Sequence, residues 1–187
     1  RQVEGWAYRY EKSKTNNFHG IEKTIKWLCN NYPTEHETSL IHNDYKYDNL
    51  VLSEDGNLKI KAVLDWEMAT VGDPLMDLGT TLGYWIHQTD PDFIKSNKLN
   101  LTTTEGNPKR GELIELYALK SKRDLSNIVF YFIFGLFKIA VIIQQIYYRY
   151  KKGFTNDARF KGLNKIVELY GIMSNQAIDK KKVDDLF

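Results

Sequence analysis

The chain has 187 residues, with 26 Lys and Arg against 24 Asp and Glu and a formal net charge of +2. That length suits one domain with a full core, or two small ones, and the interspersed, nearly balanced charges give no reason to expect nucleic acid as a main partner. Cys29 is the single cysteine, which excludes an internal disulfide and fits a reducing, cytoplasmic setting.

The chain opens Arg1-Gln2-Val3-Glu4-Gly5-Trp6, neither an initiator methionine nor a signal peptide, so a piece of a longer protein is expected. Trp6, Tyr10 and basic residues at helical spacing predict an amphipathic helix over 2–14. A second helix is predicted over 20–31, with Ile21, Ile25 and Leu28 on one face and Asn30-Asn31-Tyr32-Pro33 as its stop. Cys29, beside Trp27 and Leu28, is expected to pack. Residues 39–42 read as a short strand. Leu50-Val51-Leu52 and residues 58–64 then flank Asp55-Gly56, a dipeptide suited to the positive φ angles of a tight hairpin turn.

Gly72-Asp73-Pro74 reads as a helix start, with Asp73 as cap and Pro74 at the first helical position. That helix is expected to run through Leu78, Leu82 and Trp85. Residues 89–108 are polar and punctuated by Pro91, Gly106 and Pro108, which predicts a long loop. Further helices are predicted over 109–122, 126–151 and 156–178, with only Lys180-Lys181-Lys182 frayed. Between 128 and 146 the sole charge is Lys138, and the run approaches the roughly 20 apolar residues that a bilayer requires. A central lysine costs roughly 2.5–3.5 kcal/mol on insertion scales, and Gln144 and Gln145 weaken the case further. The segment is therefore read as a buried central helix, with no membrane partner.

The chemistry concentrates in His42-Asn43-Asp44-Tyr45-Lys46-Tyr47-Asp48-Asn49, which fits H-x-D-x-x-x-x-N, followed beyond the hairpin by Asp65. Phosphoryl transfer needs a group to orient the acceptor hydroxyl and oxygen ligands for the magnesium that bridges the phosphates. Asp44 suits the first task, and Asn49 with Asp65 the second. The bland alternative is a set of polar turn residues, but loop, hairpin and helix start all agree.

The segments Leu40-Ile41-His42-Asn43-Asp44, Asp48-Asn49-Leu50, Val63-Leu64-Asp65-Trp66-Glu67 and Gly72-Asp73-Pro74-Leu75-Met76-Asp77-Leu78-Gly79, in that order, resemble the C-terminal lobe of the aminoglycoside phosphotransferase family. That family shares its fold with the protein kinases, and the chain looks closest to the branch found fused to some acyl-CoA dehydrogenases. The resemblance implies an α+β, mostly α fold, in which a helical body and a small β-hairpin carry the catalytic and metal loops. It also implies that 1–187 is a single C-terminal lobe. Asp44 matches the catalytic aspartate, Asn49 and Asp65 the Mg²⁺ ligands, and His42 the histidine that braces the loop. Asp77 matches the aspartate that holds the catalytic loop from the next helix. Lys46 lies where protein serine/threonine kinases place a lysine near the γ-phosphate. ATP, or another nucleoside triphosphate, and Mg²⁺ are the implied cofactors.

The departures also inform. Asp65-Trp66-Glu67 replaces Asp-Phe-Gly, so a glycine-based loop flip is not expected. No Ala-Pro-Glu follows, which argues against protein substrates and leaves a small molecule with a hydroxyl. No glycine-rich phosphate loop precedes His42, so the N-terminal nucleotide-binding lobe is expected to be missing from this chain. Glu67 is a candidate for the magnesium shell or the substrate, or an ordinary solvated glutamate. Tyr84, Trp85, His87, Asp90 and Asp92 are candidates for an acceptor pocket, where acids would suit a cationic substrate, although aromatics at helical spacing are more often core. The leading expectation is an ATP-dependent small-molecule phosphotransferase. The alternatives are a non-catalytic binding or scaffold module, and a metallophosphohydrolase using His42, Asp44 and Asp65. The last is disfavoured because one histidine and scattered acids do not make a two-metal site.

Overall fold

In the computed structural model, residues 2–35 and 37–187 are described; Arg1, the start of the predicted opening run, lies outside them. Helix α1 (Gln2–Ser13) buries Val3, Trp6, Tyr10 and Ser13 at spacings of three and four, the stripe that a helix presents to a core. Helix α2 (His19–Asn30) buries Ile21, Thr24 and Leu28. Cys29 lies one position beyond that stripe and is exposed, so the packing role expected for it is corrected.

Strand β1 (Ser39–Ile41) pairs antiparallel with β4 (Thr70–Gly72), Leu40 facing Val71. β4 was not anticipated, because three residues are too few for an alternating pattern to register. Strands β2 (Leu50–Leu52) and β3 (Ile60–Val63) form the expected hairpin, with Leu50 opposite Val63 and an irregularity between Val51 and Leu52. The tight turn expected at Asp55-Gly56 is corrected: residues 53–59 connect the strands, Gly56 but not Asp55 takes positive φ, and Leu58, also at positive φ, belongs to the connection, so β3 begins later than predicted.

Helix α3 (Pro74–Tyr84) starts as its sequence requires: Asp73 accepts from the Leu75 amide at 2.8 Å, and Pro74 occupies the first turn. The long loop after it contains one short helix, α4 (Asp92–Lys95). Helices α5 (Arg110–Ser121), α6 (Ile128–Lys151) and α7 (Leu163–Lys180) complete the body. The helix predicted from 156 begins late. Asp157 instead caps a separate 3-10 turn at Ala158–Phe160, and Gly162 stands before α7. The tail is not frayed. Lys181 ends α7 in a left-handed conformation, Asp184 accepts from the Gly111 amide at 2.7 Å, and Leu186 is buried.

Helix α6 is the axis, packed by α1, α2, α3 and α7. It is long and apolar enough to cross a membrane, and 78% of its most apolar window is buried inside the protein. Its approach to α3 is unusually close. A Cβ on Gly79 would overlap the Tyr131 backbone, and one on Gly135 would overlap the Gly79 backbone. Glycine at both positions lets the two backbones touch, and this brings the middle of α6 beneath the loop that follows β1.

Candidate active site

The loop between β1 and β2 is gripped from several sides. The Asp77 carboxylate, on α3, accepts from the His42 amide at 2.7 Å and the Asn43 amide at 2.8 Å, one oxygen for each. His42 is buried. Its Nδ1 accepts from the Asp44 amide at 3.2 Å, so Nε2 carries the proton and donates to the Leu64 carbonyl at 2.7 Å. Both ring nitrogens are thereby committed. Asn43 takes φ +68°, a conformation that Asn tolerates better than most residues, and its side-chain amide donates to the Met68 carbonyl at 3.0 Å. Thr81 adds a hydroxyl donated to the Tyr45 carbonyl at 2.8 Å.

This frame aims three of the predicted residues at one another. Lys46 Nζ donates to Asp44 Oδ2 at 2.7 Å. Asn49 Nδ2 donates to the Asp44 carbonyl at 2.8 Å and to Asp44 Oδ2 at 3.1 Å. Asp65 is reached through the hairpin: the Leu64 amide donates to the Asn49 carbonyl at 2.8 Å, so Asp65 and Asn49 lie at the same end of the ladder. Asp65 is exposed, in the left-handed region at φ +64°. Trp66 follows it with its ring edge-on to His42 at 4.7 Å, and Glu67 is exposed in the same turn.

Two further side chains belong to this site. Tyr84 is buried, and its hydroxyl ionisation is pushed up, first by burial and then by the Asp44 carboxylate; the Lys46 ammonium lies 4.9 Å from its ring centroid. Lys138, from α6, is buried and donates to the Asn43 carbonyl at 2.6 Å and to Asn43 Oδ1 at 3.2 Å. Burial pulls its ammonium down to about 8, against the opposing pull of Asp77 and Asp44. Sequence reasoning placed Lys138 in the core but not at the site. Its signal was present, since a lone charge in an apolar helix needs a polar partner.

Beside Lys46 opens a groove of about 460 Å³, lined by Tyr84, Ile139, Ile142, Ile143 and Leu163 among others. The acid-rich acceptor pocket expected from the α3–α4 connection is corrected. His87 is buried and bonded to Thr89 and the Asn107 carbonyl, Asp90 is paired with Arg110, and Asp92 pairs with Lys95. Trp85 is buried, with its Nε1 donating to the Pro108 carbonyl. Of those five candidates, only Tyr84 lines this groove.

The sequence profile of the phosphotransferase enzyme family matches residues 1–105, more than half of the chain. The chain belongs to that family. A solved structure from Ralstonia eutropha, provisionally described as an aminoglycoside phosphotransferase, superposes on this family member with a TM-score of 0.81 at 28% identity, covering 96% of this chain and 55% of that one. The kinase-like, mostly helical architecture expected from the motifs is thus the one observed. Acyl-CoA dehydrogenase family member 10 of Mus musculus is 31% identical over 170 residues, covering 90% of this chain and 16% of that protein. Acyl-CoA dehydrogenase family member 11 of Rattus norvegicus is 34% identical over 157 residues, covering 82% of this chain and 20% of that protein. The phosphotransferase-family chain therefore spans a fifth or less of the length of these relatives. At the level of the family, its architecture is that of a kinase-like phosphotransferase.

Proposed function

We propose that this chain is the catalytic lobe of an ATP-dependent enzyme that moves a γ-phosphoryl group to the hydroxyl of a small molecule. The observation that carries the reading is the Asp44–Lys46–Asn49 constellation at the edge of the apolar groove. Lys46 and Asn49 both bond Asp44 Oδ2 and the Tyr84 hydroxyl also interacts with this carboxylate, so an acceptor hydroxyl that gives its proton to Asp44 would be received beside Tyr84. Lys46, facing the groove, would balance charge on the transferred group, and the held loop supplies positioning. His42, with both nitrogens engaged, braces the loop and is not the base.

The donor chemistry fits magnesium. Asn49 uses Nδ2 toward Asp44, which frees its amide oxygen, and Asp65 adds an exposed carboxylate at the same end of the hairpin. Among the described residues no group of three or more His, Cys, Asp or Glu could hold a metal, so an ion at Asn49 and Asp65 would need phosphates and water to complete its shell. Asn49 and Asp65 would hold the ion, and the chemistry supplied there would be neutralisation of phosphate charge. The apolar side chains Leu40 and Val71, 64% and 68% exposed on the β1–β4 ladder, suit cover by a separate nucleotide-binding lobe. The groove's largely apolar lining, with the cations Lys46 and Arg159 against the single acid Asp48, favours a hydroxyl on an apolar body over a cationic sugar. Kinship with proteins named acyl-CoA dehydrogenases is in keeping with a hydroxylated acyl group.

The test is nucleotide-dependent phosphate transfer by the natural polypeptide containing this chain, onto hydroxylated acyl compounds and, for contrast, amino sugars. Asp44→Asn and Asp65→Asn are each expected to lower turnover at least about 100-fold with the melting temperature unchanged. Full activity in either variant would sink this mechanism. Absence of transfer with every acceptor would favour a binding or scaffold role.

A further inference from the structure

Asn43 is the residue on which the loop turns, and the clamp around it is complete. Its amide is held by Asp77, its side-chain nitrogen by the Met68 carbonyl, and its carbonyl and side-chain oxygen both by Lys138. The next residue is Asp44. The peptide that leads into the proposed catalytic carboxylate is therefore fixed from beneath by the ammonium of a core helix.

We infer that Lys138 is a positioning residue for phosphoryl transfer, which holds the Asn43 peptide in its left-handed conformation so that Asp44 points at the acceptor. The hydrogen bonds of Lys138 go to Asn43 and Thr80 and not to the groove lining or the proposed magnesium ligands, so it acts through Asn43. A buried charge is expensive, and an apolar residue would serve the packing of α6 equally well. Placing a lysine there makes sense where its three donors have a geometric task. Two of its bonds go to Asn43, and a third, at 3.5 Å, reaches the Thr80 hydroxyl on α3. The charged groups that act on it are the Asp77 and Asp44 carboxylates, which favour its ammonium, and Arg9 and Lys46, which oppose it. The Trp6 ring of α1, 5.7 Å from Nζ, completes its cage. The close α3–α6 approach through Gly79 and Gly135 is what lets a lysine on α6 extend this far. The inference rests on the phosphotransferase reading for its catalytic consequence, but its structural half stands apart from it.

The experiment uses the natural polypeptide with Lys138→Met, which keeps length and loses the charge, and Lys138→Gln, which keeps an amide donor. Three quantities are read: the melt, hydrogen exchange of the peptide spanning residues 40–47, and kcat with nucleotide KM. For Lys138→Met the expectation is a folded protein and loop exchange at least tenfold faster, with exchange in α3 and α6 unchanged. With an active wild type, kcat should fall at least tenfold while nucleotide KM stays within twofold. Lys138→Gln should recover part of both the protection and kcat. Loop exchange equal to wild type in Lys138→Met would overturn the inference, as would a uniform loosening of α3 and α6 or the unfolding of both variants, each of which marks a core role only. If the wild type itself transfers no phosphate, the functional reading fails, and the exchange result alone decides whether Lys138 holds the loop.

Discussion

At the scale of single residues, the site is built from polar groups that are nearly all spoken for. Asp77 spends both oxygens on two successive amides, and His42 spends both nitrogens on the backbone around Asp44 and Leu64. Such networks are stable only when every member is satisfied, and Lys138 is the member that bears a cost. Its ammonium ionises near 8 where an unfolded lysine ionises near 10.5. The folded chain thus releases its proton first, and between those values the unfolded state binds more protons, so folding stability rises with pH. At neutral pH the depressed ionisation costs about 3 kcal/mol. The stability of the wild type relative to Lys138→Met should therefore increase by about 2 kcal/mol between pH 7.5 and 9.5. Urea denaturation at the two pH values measures it, and a constant difference would show that the ammonium is not desolvated.

At the scale of elements, α3 and α6 decide the geometry. Helix α3 carries Asp77 to hold the loop from one side, and α6 carries Lys138 to hold it from beneath. Their separation is set by Gly79 and Gly135, where an added methyl would run into backbone that cannot move aside as a side chain could. Gly135→Ala is expected to destabilise by about 3 kcal/mol or more, at or beyond the upper end of ordinary overpacking. An equilibrium denaturation curve checks this, and an unchanged midpoint would mean that the helices lie further apart. Neither glycine announces its role in the sequence, because a helical glycine looks the same whether it faces solvent or another backbone.

At the scale of the whole molecule, the chain closes on itself through a buried cation. Arg110, at the start of α5, is 1% exposed in its side chain and meets Asp90 with both terminal nitrogens, at 3.2 and 2.7 Å. Asp184, from the tail, adds a longer contact at 3.4 Å and takes the Gly111 amide. These bonds join the α3–α4 connection, α5 and the C-terminal residues, and they explain why the tail is ordered beyond its lysines. Removing one partner of a buried pair leaves an uncompensated charge that costs about 3–5 kcal/mol. Asp90→Ala should lie in that range. Asp184→Ala should cost less, about 2 kcal/mol, because its partly exposed site admits water. Denaturation of the two variants gives the order, and the reverse order would put the main anchor in the tail.

The sequence by itself determined the loop, hairpin and helix start, because each depends on contacts between near neighbours: Asp73 capping its own helix, Gly56 helping to turn its own strands. It also placed Asp44, Lys46 and Asn49 together, since they share one loop. What it did not contain was anything carried between distant elements. The β1–β4 pairing, Lys138 beneath Asn43, the aliphatic groove beside Lys46 and the Arg110 clamp all join residues far apart in the chain. Asp90 looked like a free acid for a cationic substrate until Arg110 was seen to use both its oxygens. Local pattern fixes which residues can do chemistry, but only tertiary packing decides which of their atoms are still available for it.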